Sequence, residues 1–132
     1  MKVMLDTNTC IAVMRGNPKS LARMEALLPG DCAISVITVY ELFTGVAKCQ
    51  DPARERARVM RLLAQVHILS FSSAAAEQAA GVRADLERTG RVIGPYDLLL
   101  AGHALSLGLH ISTNNTDEFT RVAGLQVEDW LA

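Results

Sequence analysis

The sequence predicts an α/β fold: residues 1–132 as one domain, with a central parallel sheet of four to five strands and helices on both faces. Short apolar runs of strand character alternate with longer stretches of helical periodicity, the pattern of strands joined by crossover helices. The runs are apolar throughout, as strands buried on both faces are. A chain of this length buries roughly two-thirds of its unfolded surface, enough for one core.

Lys2 to Leu5 reads as the first strand, closed by Asp6. Thr7 to Met14 follows as a short helix, stopped by Gly16 and Asn17. Pro18 opens a second helix with Leu21, Met24, Leu27 and Leu28 on one face, and Pro29-Gly30-Asp31 turns the chain. Cys32 to Val36 is the second strand. Thr38 to about Lys48 is helical, and Asp51-Pro52 starts another helix that points Val59, Leu62, Leu63 and Val66 inward. His67 to Phe71 is the third strand, and Ser72 or Ser73 caps a long helix ending near Gly90. Pro95 sits in the first turn of a helix that stops at Gly108. Leu109 to Thr113 is the fourth strand, Thr116 opens a short helix, and Gln126 to Trp130 is an edge-strand candidate.

Half the residues are apolar, 20% are charged and the formal net charge is −1, which excludes a disordered chain and a basic nucleic-acid module. Cys10, Cys32 and Cys49 are odd in number and lack CxxC spacing, so neither a disulfide framework nor a zinc knuckle is expected and a reducing, cytoplasmic setting is. Asp6 arrives too early for a signal peptide, and the uncharged stretch from Leu98 reads as a buried helix and strand.

Chemistry concentrates in four acids at or near strand-to-helix junctions: Asp6, Glu41, Asp97 and Glu118. Each has a local explanation. Asp6 suits an N-cap, and Glu41 stands three residues after Thr38, as in a capping box. Asp97 and Glu118 lie in first turns, where negative charge meets the helix dipole. Asp97 follows no obvious strand, so the pattern alone does not bring it to the others. The fold still gathers at least three acids at the carboxyl ends of the strands, where such sheets carry their sites.

Lysine is scarce, with only Lys2, Lys19 and Lys48 to offset that repulsion. A hard divalent cation, Mg²⁺ or Mn²⁺, fits an all-oxygen site and serves phosphodiester hydrolysis. Asp6-Thr7-Asn8-Thr9 lacks the second acid of aspartyl-phosphate enzymes. His67, His103 and His110 have no ligand spacing and read as structural. Arg54, Arg58 and Arg61 form a solvated helix face, with phosphate contact as the alternative. Aromatic residues, at 5%, are too few to suggest a base-stacking platform.

Four segments in order carry a family resemblance: Met4-Leu5-Asp6-Thr7-Asn8, Tyr40-Glu41-Leu42, Gly94-Pro95-Tyr96-Asp97 and Thr113-Asn114-Asn115-Thr116-Asp117-Glu118-Phe119. The chain resembles PIN-domain ribonucleases and, more narrowly, the VapC-type toxins of toxin–antitoxin pairs. That resemblance implies a three-layer α/β/α fold and a metal-dependent endoribonuclease. Asp6 and Asp97 would be the main Mg²⁺ ligands, with Glu41 completing the triad directly or through water and Mn²⁺ able to substitute. Many PIN domains have an aspartate where this chain has Asn115, and Glu118 is expected to serve instead. Thr7, Asn8, Thr113, Asn114 and Asn115 are supporting candidates.

The implied substrate is cellular RNA, with a tRNA anticodon loop, and initiator tRNA in particular, favoured. The implied partner is a small antitoxin that inserts a basic side chain, an arginine by preference, among the acids. Met24, Leu28, Tyr40, Phe43 and Met60 are candidates for its apolar groove. A homodimer through the same surfaces, or through the face from Asp97 to Leu105, is expected within a toxin–antitoxin hetero-oligomer. The competing reading is a non-catalytic acidic α/β module that acts through protein contacts.

Overall fold

The computed structural model describes residues 1–132. In chain order the elements are β1 (Val3–Leu5), α1 (Thr7–Met14), α2 (Pro18–Glu25), β2 (Cys32–Ser35), α3 (Val36–Lys48) and α4 (Pro52–Leu63). They continue with β3 (His67–Leu69), α5 (Ser73–Arg88), α6 (Pro95–Leu107), β4 (His110–Ser112), α7 (Thr116–Phe119) and β5 (Val127–Glu128). The five strands are all parallel in the order β3-β2-β1-β4-β5. The chain steps outward from β1 through β2 to β3, then returns to the opposite side of β1 with β4. That reversal makes the carboxyl end of β1 the switch point.

Alternating residues of the strands feed two cores. Met4, Ala33 and Ile111 face α5 and α6, packing with Val82, Leu86, Leu98 and Leu100. Val3, Leu5 and Ile34 face the other way, against Cys10, Leu42, Val59 and Leu62 from α1, α3 and α4. The sheet is thus the middle of three layers. Each of these aliphatic side chains contributes about 1.5–3 kcal/mol on burial.

Local chemistry sets most helix ends. Asn17 accepts from the Ser20 amide ahead of Pro18, and Asp51 accepts from the Arg54 amide ahead of Pro52. Ser72 caps α5, and Gly108 ends α6 in the left-handed region at φ 66°.

One expected start is wrong. The second strand ends at Ser35 instead of Val36, and α3 begins at once, capped by Ser35 Oγ accepting from the Ile37 amide at 3.1 Å. The Thr38–Glu41 capping box therefore does not form. Thr38 is buried with its hydroxyl unpaired, and Glu41 lies in the second turn. The third strand is shorter than His67 to Phe71, because Phe71 leaves the ladder to pack edge-on against His103, ring centroids 5.2 Å apart. Most of α6 is also unavailable as a docking face, since Leu98, Leu100, Ala101 and Ala104 are buried within the chain. No helix is long and apolar enough to cross a membrane.

Candidate active site

The carboxyl rim of the sheet collects the acids from four elements. Asp6 ends β1 and caps α1, its Oδ1 accepting from the Thr9 amide at 2.8 Å. It is only 3% exposed, which no simple surface cap requires. Glu41 comes from α3, which starts at the end of neighbouring β2, and its Oε1 accepts from Thr7 Oγ1 at 2.6 Å. Glu118 comes from α7, which follows β4 on the other side of β1.

Asp97 reaches the same rim by a different route. It lies in the first turn of α6, and α6 leads into β4. A crossover helix runs antiparallel to the strand it feeds, so its first turn stands where the strands end. The sequence pattern links acids to the strand before them and so hides this one.

Asn115 joins the two later acids, its Nδ2 donating to Asp97 Oδ2 at 3.2 Å and to Glu118 Oε2 at 2.8 Å. The Thr113 hydroxyl accepts from the Asn115 amide at 2.9 Å, which fixes the loop that presents Asn115. Thr113 is fully buried beside Asp6. Asn8 and Asn114 are exposed and make no side-chain hydrogen bond to the acids. Of the supporting candidates, Thr7, Thr113 and Asn115 thus enter the network, while Asn8 and Asn114 stand at its edge.

Sequence reasoning missed Arg121. Its guanidinium donates to the Arg91 and Val92 carbonyls at 3.5 and 3.3 Å, bracing the loop before α6, and pairs with Asp117 at 3.4 Å. An arginine four residues after Asp117 was the available signal.

The electrostatics are those of crowded carboxylates, relieved only at Glu118 by the charge of Arg121. Burial raises the pKa of Asp6, against the lowering effect of hydrogen bonds from Thr113 and Thr9. Asp97 is pushed up to about 7, first by burial, then by its contact with Glu118 and the charges of Glu118 and Asp6. Glu118 is lowered, chiefly by that contact with Asp97. The two carboxyls thus oppose each other's full ionisation, with Asn115 donating to both.

None of the four acids takes part in an ion pair; those of the chain lie elsewhere. The donor set is oxygen-only and short of positive charge, which fits a hard divalent cation. No three of the carboxylates are already drawn into a closed ligand set. Burial and the neighbouring acids oppose ionisation of Asp97, and a bound cation would favour it.

The three histidines stand apart from this site. His67 is exposed on β3, His103 Nδ1 pairs with Ser35 Oγ at 2.9 Å, and His110 Nδ1 pairs with Glu128 at 2.9 Å. Burial tends to raise Glu128, but hydrogen bonds from His110 and Trp130 and the Arg23 charge outweigh it and lower its pKa. That cluster fastens β5 to β4 and α2.

Comparison with known proteins identifies the family. Residues 3–125 match the PIN domain family. The chain is 44% identical over 130 residues to the tRNA(fMet)-specific endonuclease VapC of Shigella flexneri, covering 98% of each. It is 35% identical over 131 residues to Ribonuclease VapC2 of Haemophilus influenzae, covering 99% of each. Its fold superposes with a TM-score of 0.93 on a chain of DNA-bound VapBC from Salmonella typhimurium, at 40% identity and 98% coverage of both chains. The chain belongs to the PIN-domain family, within its VapC branch of toxin–antitoxin ribonucleases.

Proposed function

We propose that this protein is the endoribonuclease toxin of a toxin–antitoxin pair and hydrolyses a phosphodiester bond in tRNA with Mg²⁺ as cofactor. The observation that carries the chemistry is the meeting of Asp6, Glu41, Asp97 and Glu118 at one rim without a cationic side chain among them. Asp6 and Asp97 would hold the ion, with Glu41 completing the set directly or through water. Bound Mg²⁺ supplies positive charge to the phosphoryl oxygens and acidifies water for attack on phosphorus.

The chain's own residues prepare that step. Thr7 holds Glu41 in place, while Asn115 donates to both Asp97 and Glu118 and holds the two side by side. Asp97 must be ionised to serve, so the gathered negative charge that raises its pKa is also what a cation would relieve. Initiator tRNA is the favoured substrate, given the substrate named for the relatives from Shigella flexneri and Salmonella typhimurium.

Restraint by a small antitoxin follows from the same charge. An arginine inserted among the carboxylates would pair with them bidentately and exclude the metal. Leu28 and Met60 are exposed, and Met24 and Phe43 half-buried, which leaves apolar surface on the α2 and α4 side for the rest of such a partner. Solved relatives are VapBC toxin–antitoxin complexes, which supports a hetero-oligomer of toxin and antitoxin.

Incubation of purified protein with tRNA(fMet), in Mg²⁺ and in excess EDTA, tests the reading. Cleavage at one bond in the anticodon loop is expected in Mg²⁺ or Mn²⁺ and none in EDTA. A folded protein that neither binds Mn²⁺ nor cuts RNA would be the non-catalytic module instead.

Glutamine substitutions separate the two glutamates. With the capping box absent, Glu41→Gln costs no helix cap, so its effect should fall on activity alone. Glu118→Gln removes one of the gathered carboxylates beside Asp97, and a loss of about 10–100-fold is expected, the range for residues next to a metal ligand. Melting temperature and cleavage rate measured side by side decide. Full activity in Glu118→Gln would leave the fourth position of the site to Asn115 or to water alone.

A further inference from the structure

The chain has two tyrosines, Tyr40 and Tyr96, fifty-six positions apart, and the fold brings them together beside the acids. Tyr40 precedes Glu41 on α3, and Tyr96 precedes Asp97 on α6. Their hydroxyls are 3.2 Å apart and their ring centroids 5.7 Å apart. The rings are tilted at 52° rather than stacked, so they do not cover each other's faces.

Both rings lie open to solvent, Tyr40 at 56% and Tyr96 at 42%. The other aromatics are less exposed: Phe119 and Trp130 are buried, and Phe43 and Phe71 are half-buried. An exposed hydroxyl pair adds little to stability, because water competes for both groups. Aromatic rings left in water at the edge of a reactive site are instead suited to a flat, apolar-faced ligand.

We propose that Tyr40 and Tyr96 form a two-ring shelf on which a nucleobase next to the scissile phosphate stacks. This rests on the ribonuclease reading above and names the contact by which single-stranded RNA would be held. RNA loops present splayed bases to aromatic side chains, and each stacked base is worth about 1–3 kcal/mol. A stacked base would fix the adjacent phosphate over the acids, which themselves repel it. The low aromatic content argued against a stacking platform, but an average over the chain does not register where the rings fall.

The test uses an RNA anticodon stem-loop carrying 2-aminopurine at each nucleotide flanking the cleaved bond. Binding is read in EDTA, where the RNA stays intact, and cleavage separately in Mg²⁺. Wild type should quench one probe position by stacking. Tyr40→Leu and Tyr96→Leu should abolish that quenching and raise Kd and KM about tenfold each, with a smaller change in kcat. Phenylalanine at either position should recover most of the loss, since it restores the ring without the hydroxyl. Unchanged melting temperatures in the leucine variants would confirm that they fold.

If wild type neither binds nor cuts the RNA, the ribonuclease reading and the shelf fall together. If wild type cuts and the leucine variants bind and quench as it does, only the shelf falls. Leucine variants that keep RNA affinity but lose self-association or partner binding would assign the tyrosines to a protein interface and overturn the proposal.

Discussion

Asp97→Asn should lower RNA cleavage by at least about a thousandfold, the order lost when a group that stabilises developing charge is removed. It should also make the metal-free protein more stable at neutral and higher pH. The sign follows from the raised pKa of Asp97, about 7 in the fold, against an ordinary 3.8. Between those values the folded state binds more protons than the unfolded one, so this contribution to stability is present at low pH and is lost as pH rises through about 7. An asparagine cannot ionise, and the penalty disappears with it. Half-burial of Asp97 and solvent screening reduce the gain, which should amount to a rise of a few degrees in melting temperature, roughly.

The measurement is a pair of thermal melts in EDTA, at pH 5 and at pH 8, with cleavage assayed alongside. The variant should gain on wild type at both pH values, since both lie above 3.8, and by clearly more at the higher one. Asp6→Asn should be equally inactive, but its stability effect is mixed because Asp6 also caps α1 through the Thr9 amide. Asparagine preserves most of that cap. Near wild-type cleavage by either variant in Mg²⁺ would remove that residue from the metal site.

The strands were legible because each is apolar throughout, and Asn17-Pro18 and Asp51-Pro52 announced their helices by cap chemistry. Asp6 and Glu118 were legible because they follow strands. Glu41 was found for a partly wrong reason: Ser35 is both the last strand residue and the cap of α3, leaving no loop to mark the start. Asp97 reaches the rim of the sheet through the direction of a helix, which only the assembled sheet supplies. The Tyr40–Tyr96 contact and the Asn115 bridge join residues across the fold, and no periodicity reports such pairs.

Gly102→Ala should cause a large loss of stability for a change of one carbon. Gly102 lies in α6 where it crosses α5, and a Cβ there would stand 2.4 Å from the Ala79 nitrogen, 2.5 Å from its Cα and 2.6 Å from its Cβ. Two of those atoms are helix backbone, so no rotamer change relieves the clash; the helices must separate. A cost of about 3 kcal/mol or more is expected, at the upper end for overpacking. In a domain of this size that lowers the melting temperature by about 10 °C. Ala79→Gly should rescue only part of it, since it removes the Cβ contact and leaves the two backbone contacts. Activity should fall further than the folded fraction, because α6 carries Asp97 and its displacement draws that carboxylate away from Asp6. Thermal melts of both single variants and the double variant, with cleavage corrected for folded protein, measure each effect. A Gly102→Ala melting temperature within about 2 °C of wild type would mean that α5 and α6 do not pack as closely as described.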